Sequence, residues 1–252
     1  MNVIFSSCGN DSVALIQWAI NKGLPGLVVA YSETHWGSAD WPKRVARVRA
    51  YIEANGGQFF TIQSEGFVNL AKRKQAIPTN GMAFCSYILK IEPAMKWMDS
   101  IDPDKKAICY TGVMRIESEA RAKWPEIVEE SPNHGGRRLI SPMATFSEQD
   151  RDNLLADAGF DVLPHRSREC RCVNMNQKDI QGLTELDLID IETLEDDMGI
   201  GVRSGKPKFF FRSSKHGGAE GVRQVKARAD RGGGYYSPDQ EDLFGCDSGF
   251  CG

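Results

Sequence analysis

The chain has 252 residues, 41% of them hydrophobic, and a formal net charge of −3. That apolar content excludes wholesale disorder, suffices for one or two packed domains, and the charge excludes a polyanion binder by bulk charge alone. No apolar run approaches the ~18 residues of a membrane span, and the start MNVIFSS has no basic stretch before an apolar one, so a cytoplasmic protein with no membrane segment is expected.

Residues 2–6 (NVIFS) form a short apolar run that predicts a strand. Ser7 to Gly9 turn the chain, and Val13, Leu15, Ile16, Ala19 and Ile20 then mark one face of a helix ended by Gly23 and Pro25. Residues 26–31 read as a buried strand, 39–55 as a helix stopped by Gly56-Gly57, and 58–62 as a third strand. Residues 86–99 read as helical despite Pro93, and 107–111 as another strand. A helix is expected over 147–158, with Ser147 as its cap and Asp150 three residues on. One more helix is expected within 182–198, and Arg231 to Tyr236 read as a loop. This alternation predicts an α/β fold, a Rossmann-like open parallel sheet flanked by helices. Residues 1–180 would form the nucleotide-binding domain, and 181–252 a loop-rich, basic, cysteine-containing extension.

Charge is uneven along the chain. Residues 185–197 are strongly acidic, whereas 203–231 carry nine Lys and Arg against Glu220 and Asp230. Such blocks are either solvated faces or a contact surface for nucleic acid or another polyanion.

The turn Ser7-Cys8-Gly9-Asn10-Asp11-Ser12 lies between the first strand and the first helix. At such a junction backbone N–H groups and the helix dipole favour an anion. Gly9 permits close approach, the hydroxyls of Ser7 and Ser12 are donors, and Asp11 either caps the helix or holds a magnesium ion between phosphates. A plain capped helix has the same look. Arg115, Glu117, Ser118 and Arg121 follow the strand 107–111, where guanidinium groups would clamp phosphate or sulfate oxygens, or else form incidental surface ion pairs. The enzymatic reading requires the turn to face a cavity, uncovered and close to Arg115 and Arg121.

Seven cysteines, an odd number, argue against a disulfide framework. Cys170 and Cys172 form one close pair and Cys246 and Cys251 another; they are either metal ligands or unrelated thiols. Cys109, inside a predicted strand, reads as a small buried hydrophobe. The four histidines, His35, His134, His165 and His216, show no ligand spacing and read as loop or surface residues.

The turn resembles the PP-loop of the ATP pyrophosphatase superfamily, Ser-Gly-Gly-x-Asp-Ser, and the chain as a whole resembles its phosphoadenosine phosphosulfate (PAPS) reductase family. Further segments match in order over about residues 2–180. Tyr31-Ser32-Glu33-Thr34 stands at an Asp-Thr-Gly-like turn. Cys85 to Pro93 resembles Cys-Cys-x-x-x-Lys-x-x-Pro. Thr111 to Ala122 resembles Gly-x-Arg-x-x-Glu-Ser-x-x-Arg. Ile140-Ser141-Pro142 with Phe146 to Asp150 resembles Pro-Leu-x-x-Trp-Ser-x-x-Asp, and Cys170-Arg171-Cys172 stands at a Cys-x-x-Cys. Two departures touch the turn itself: Cys8 replaces its first glycine, and Asn10 stands where many pyrophosphatases carry a lysine.

The resemblance implies an adenine nucleotide alpha hydrolase-like fold that binds ATP or a PAPS-type nucleotide with Mg2+. It assigns nucleotide contacts to Ser7, Cys8, Gly9, Asn10, Asp11, Ser12, Glu33, Thr34, Lys90 and Gly112, and catalysis to Asp11, Arg115, Glu117 and Arg121. Some relatives, the adenylylsulfate reductases, bind a four-iron cluster. Here Ser86 replaces the second cysteine of the early pair, so a 4Fe–4S cluster would use Cys85, Cys170, Cys172 and Cys246 or Cys251. Zinc held by Cys170, Cys172, Cys246 and Cys251 is the alternative. The implied activity is activation of an acceptor by adenylylation or sulfur transfer, with a sulfur donor or nucleic acid as partner and a homodimer left open. A sulfonucleotide reductase with Cys251 as nucleophile is a second expectation, although the family's Glu-Cys-Gly-Leu-His motif is missing. A non-catalytic nucleotide-sensing or nucleic-acid-binding module is a third.

Overall fold

Residue alternation sets the two faces of the sheet. In β1 (Asn2–Phe5), Val3 and Phe5 enter one apolar layer and Ile4 the other, as the two-residue strand period demands. The computed structural model describes residues 1–79, 82–119, 121–201, 205–211 and 221–232. After β1 come α1 (Asn10–Asn21), β2 (Leu27–Glu33), α2 (Trp41–Ala54) and β3 (Gln58–Gln63). The chain then forms α3 (Phe67–Lys74), α4 (Phe84–Ser86), a π turn over Tyr87–Ile91, and α5 (Glu92–Ile101). β4 (Ile108–Tyr110), β5 (Ile127–Ser131), β6 (Arg137–Ile140), α6 (Glu148–Asp157), α7 (Gln177–Gln181), α8 (Glu185–Met198) and α9 (Val222–Asp230) complete the described elements.

The strands are ordered β3-β2-β1-β4-β6-β5. All neighbours are parallel except β5 and β6, which form an antiparallel pair at the edge. The sheet is therefore mixed and Rossmann-like rather than wholly parallel. Winding reverses at β1: β2 and β3 are laid down on one side of it and β4 on the other. In such sheets the crevice at the carboxyl ends of the strands flanking the reversal is where ligands bind.

One face of the sheet packs on α1, α2 and α6 through Val13, Ile16, Val48, Ile52 and Leu155. The other packs on the helix carrying Ile91, Ala94 and Met98. At the outer end of the sheet Arg137 is fully buried; it donates to Asp102 and Asp99 and to the Asp102 and His134 carbonyls. His134 itself is buried, bonded to Ser131 and held neutral to about pH 4, mainly by burial and then by Arg137. It lies in the turn between β5 and β6, a connection as the sequence suggested, but is buried there and not exposed. Cys109 is buried as expected.

A separate apolar cluster joins α3, α7, α8 and α9 through Leu70, Ile180, Ile191, Met198, Phe210 and Val225. Its edge is Trp36, stacked on Phe67 at 5.1 Å with the Arg171 guanidinium 4.2 Å from its ring centre. The described part of the C-terminal region is thus helical, with α8 where a helix was expected and α9 where loop was expected. The acidic and basic blocks meet there: Arg223 of α9 pairs with Glu185 and Glu192 of α8, and Glu195 accepts the Phe210 and Val222 amides. Part of the charge suggestive of a polyanion surface is accordingly spent within the chain. Among the described residues no helix is long and apolar enough to cross a membrane.

Candidate functional site

The turn after β1 is built by its own hydroxyls. Ser6 Oγ accepts the Cys8 amide at 3.0 Å and Ser7 Oγ accepts the Gly9 amide at 3.2 Å. Ser12 Oγ donates to the Gly9 carbonyl and lies 3.4 Å from Ser7 Oγ. Cys8 takes the left-handed conformation, φ 61°, with its side chain fully buried. A side chain there costs about 1–2 kcal/mol relative to glycine, which explains why a glycine suits the position. Burial pushes the Cys8 thiol up to about 12, as for a packed, protonated side chain. Two side chains of α2 brace the turn: Trp41 Nε1 donates to the Ser7 carbonyl and Arg44 Nε to the Cys8 carbonyl. Gly9 caps α1 without any side-chain bond of its own.

Beside the turn lies a cavity of about 10 Å³ edged by Ser6, Ser7, Ser32, Lys90 and Glu169, room for roughly one water. Lys90, in the π turn, is buried and bonds Glu169 Oε1 at 2.6 Å. π turns recur where a helix has to re-aim one side chain, and here that side chain reaches the carboxyl end of β1. The segment 163–171 crosses the mouth of the turn as a strap. Asn10 donates to and accepts from the backbone of Leu163, 3.0 Å each, so its amide is committed there. Thr34 Oγ1, fully buried, donates to the Glu169 carbonyl at 2.8 Å. The Ser38 amide donates to Arg168 and the Arg171 amide to Trp36. A Cβ on Gly9 would meet Ser167 Cβ at 2.8 Å. The turn therefore faces a cavity, as the enzymatic reading requires, but the strap covers it and Arg115 is bonded elsewhere, so that requirement is met only in part.

On the other side of the turn, Gly112 follows β4 and lies against the Asp11 backbone, where a Cβ would come within 2.9 Å of its carbonyl. The Asp11 carboxyl is raised to about 6, first by burial and then by Glu117, partly offset by Arg151 and Arg121. Arg151 is 3.5 Å from it. Glu117 accepts the Met114 amide and pairs with Arg121 at 2.8 Å. Arg115 instead donates to the Trp124 carbonyl and pairs with Glu126. Glu33 accepts the His35 amide. Of the expected residues, the structure thus brings Ser7 and Lys90 to the small cavity, groups Asp11, Gly112, Glu117 and Arg121 on the other side of the turn, and directs Asn10 and Thr34 to the strap and Arg115 to the β5 side. Arg44, Arg151, Ser32, Ser167 and Glu169 were not foreseen. Their roles come from contacts between distant segments, and no local pattern signals them.

The metal expectations require correction. Among the described residues, no group of three or more His, Cys, Asp or Glu is placed to hold a metal ion. Cys85 and Cys170 pack at the border of the helical cluster, and Cys172 Sγ accepts the Asn174 amide. The described residues build neither an iron–sulfur nor a zinc centre, and the Asp11 carboxylate faces Arg151 rather than a set of metal ligands. Cys246 and Cys251, including the expected nucleophile, lie outside the described residues.

No family model matches the chain, and no curated protein matches it. Among solved structures it is similar to the phosphoadenylyl-sulfate (PAPS) reductase of Candida auris in a phosphate complex, with a TM-score of 0.44 and 16% identity over 64% of this chain and 74% of that one. It is also similar to the U34-tRNA thiolase NcsA of Methanococcus maripaludis with its 4Fe-4S cluster, with a TM-score of 0.44 and 12% identity over 96% of this chain and 75% of that one. Likeness at this level says nothing of which reaction the present chain performs.

Proposed function

We propose that the protein binds the phosphate chain of an adenine nucleotide over the turn 6–12 and uses it to activate an acceptor, by adenylylation or sulfur transfer. The observation that carries this reading is a buried lysine, Lys90, aimed at a cavity with the hydroxyl-bearing residues Ser6, Ser7 and Ser32 at the reversal point of a doubly wound sheet. A buried cation beside hydroxyl donors is suited to an oxyanion. The adenine part rests on the resemblance of the turn and of the segments around Lys90 and Gly112. Asp11, with its carboxyl near 6, would exchange a proton close to neutral pH, and Arg121 would offset charge developing on the phosphate. The test is calorimetric titration with ATP, together with pyrophosphate release in the presence of thiol, amine and RNA acceptors. Lys90→Met is expected to weaken ATP binding at least ~10-fold, the loss of one charge-assisted contact. Unchanged affinity in that variant rejects the reading.

One observation favours a non-catalytic nucleotide sensor as second reading. Asn10, where a lysine would face the leaving pyrophosphate, is fully engaged with Leu163. Tight ATP binding without pyrophosphate release under any acceptor condition would select the sensor.

A further inference from the structure

Glu169 is the least expected residue at the site. It stands on the strap, far in sequence from the turn, yet its carboxylate enters the cavity with Lys90 and the three serines. Oε1 takes the Lys90 ammonium at 2.6 Å. Oε2 is buried without a hydrogen-bond partner, although the residue is only 5% exposed. A buried carboxylate oxygen is costly to leave unpaired, so the acidic occupant of this cavity is held by Lys90 through one oxygen and leaves the other unsatisfied. The occupant here belongs to the chain itself.

The attachment of the strap is consistent with exchange. Leu163 and Cys170 pack at the borders of the two apolar clusters. Between them Ser167, Arg168 and Glu169 belong to neither cluster. The bonds of this stretch include the Thr34 bond to Glu169, the Ser38 amide and hydroxyl bonds to the Arg168 carbonyl, and the ion pair itself. Segments held by few bonds and little apolar burial are the ones that open locally. With the strap down, the remaining volume suits about one water, so a phosphoryl group reaches Lys90 only when Glu169 leaves.

We propose that Glu169 is an internal stand-in for a tetrahedral oxyanion: it closes the site over Lys90, and an incoming phosphoryl group must displace it. The inference rests on the reading of the turn as an oxyanion site. The oxyanion would be borne by a nucleotide or arrive free, and both are tested. Wild type, Glu169→Gln, Thr34→Val and the double variant Lys90→Gln/Glu169→Gln are titrated calorimetrically with ATP and with inorganic pyrophosphate, and folding is checked by circular dichroism.

Removing the competing carboxylate raises the population of the open site, so Glu169→Gln is expected to bind about tenfold more tightly than wild type. The double variant should lose that gain. A gain with both probes marks a site for the anion alone, and a gain with ATP only marks a nucleotide-borne one; each supports the stand-in. Should Glu169→Gln fail to fold, Thr34→Val, which leaves the ion pair intact and removes one tether, is expected to gain about two- to fivefold. Equal or weaker binding in the folded variants, with wild type binding ATP, overturns the stand-in and spares the nucleotide reading. If neither wild type nor any variant binds either probe, the nucleotide reading falls and the stand-in with it.

Discussion

At the scale of single residues, Asp11 is the most informative group. Its carboxyl is raised to about 6 in the folded protein against an ordinary 3.8, chiefly by burial. The folded chain therefore keeps a proton that the unfolded chain releases between about pH 4 and 6. Its contribution to stability is neutral below pH 4, falls as pH rises through that window, and stays unfavourable above it. Asp11→Asn is expected to stabilise the protein at pH 7 by on the order of 1–3 kcal/mol and to have little effect at pH 3.5. Urea unfolding at both pH values measures this, and an equal effect at both would contradict the assignment. A carboxyl at the candidate site that costs stability while it is charged is what the proposed proton-exchanging role predicts. Cys8 has a comparable cost in another form, a side chain held at positive φ in a turn whose neighbours over-determine it.

At the scale of elements, caps and periods were the legible signals. The Ser147 cap of α6 with Asp150 three residues on forms a capping box, as read from sequence. α8 starts the same way: Thr184 accepts the Asp187 amide and Asp187 accepts the Thr184 amide. Because Asp187 is also buried against Arg171, Thr184→Ala is expected to cost about 1 kcal/mol, visible as a lowered urea midpoint. The first three strands and first two helices were legible because their apolar runs are punctuated by glycine and proline. β5 was not, since an edge strand with the sequence IVEES buries only its last residue and looks like a charged loop. α9 was hidden among glycines and basic residues, although Val222, Val225 and Ala229 carry a helical spacing. The π turn at Lys90 has no sequence signature of its own. The strap was illegible for a deeper reason: Glu169 and Lys90 are 79 positions apart, and their pairing exists only once the sheet has formed.

At the scale of the whole molecule, the carboxyl end of the sheet carries the candidate site and the opposite end a buried ion-pair network. The opposite end is held by Arg137, which joins the start of β6 to the connection between α5 and β4 through Asp102 and Asp99. Arg137→Met removes one partner of a fully buried pair and is expected to cost about 3–5 kcal/mol, measured by chemical unfolding. A loss under 1 kcal/mol would mean that the pair does not hold these segments together. The Rossmann-like α/β class was readable from the order of elements, whereas the antiparallel edge pair that makes the sheet mixed was not. The expected cysteine centre was not borne out by the described residues, because spacing brings thiols close along the chain without fixing where their side chains converge.

Trp36 sits between the aromatic ring of Phe67 and the guanidinium of Arg171, and its indole nitrogen is buried without a bond. Arg171 belongs to the same stretch of chain as Glu169, and its amide is tied to the Trp36 carbonyl. The indole is thereby an optical gauge built into the protein: a withdrawal of the strap that reaches as far as Arg171 removes a cation from the face of a fluorophore. In a variant whose other four tryptophans are replaced, emission from this one ring would follow such a movement in real time, without a label.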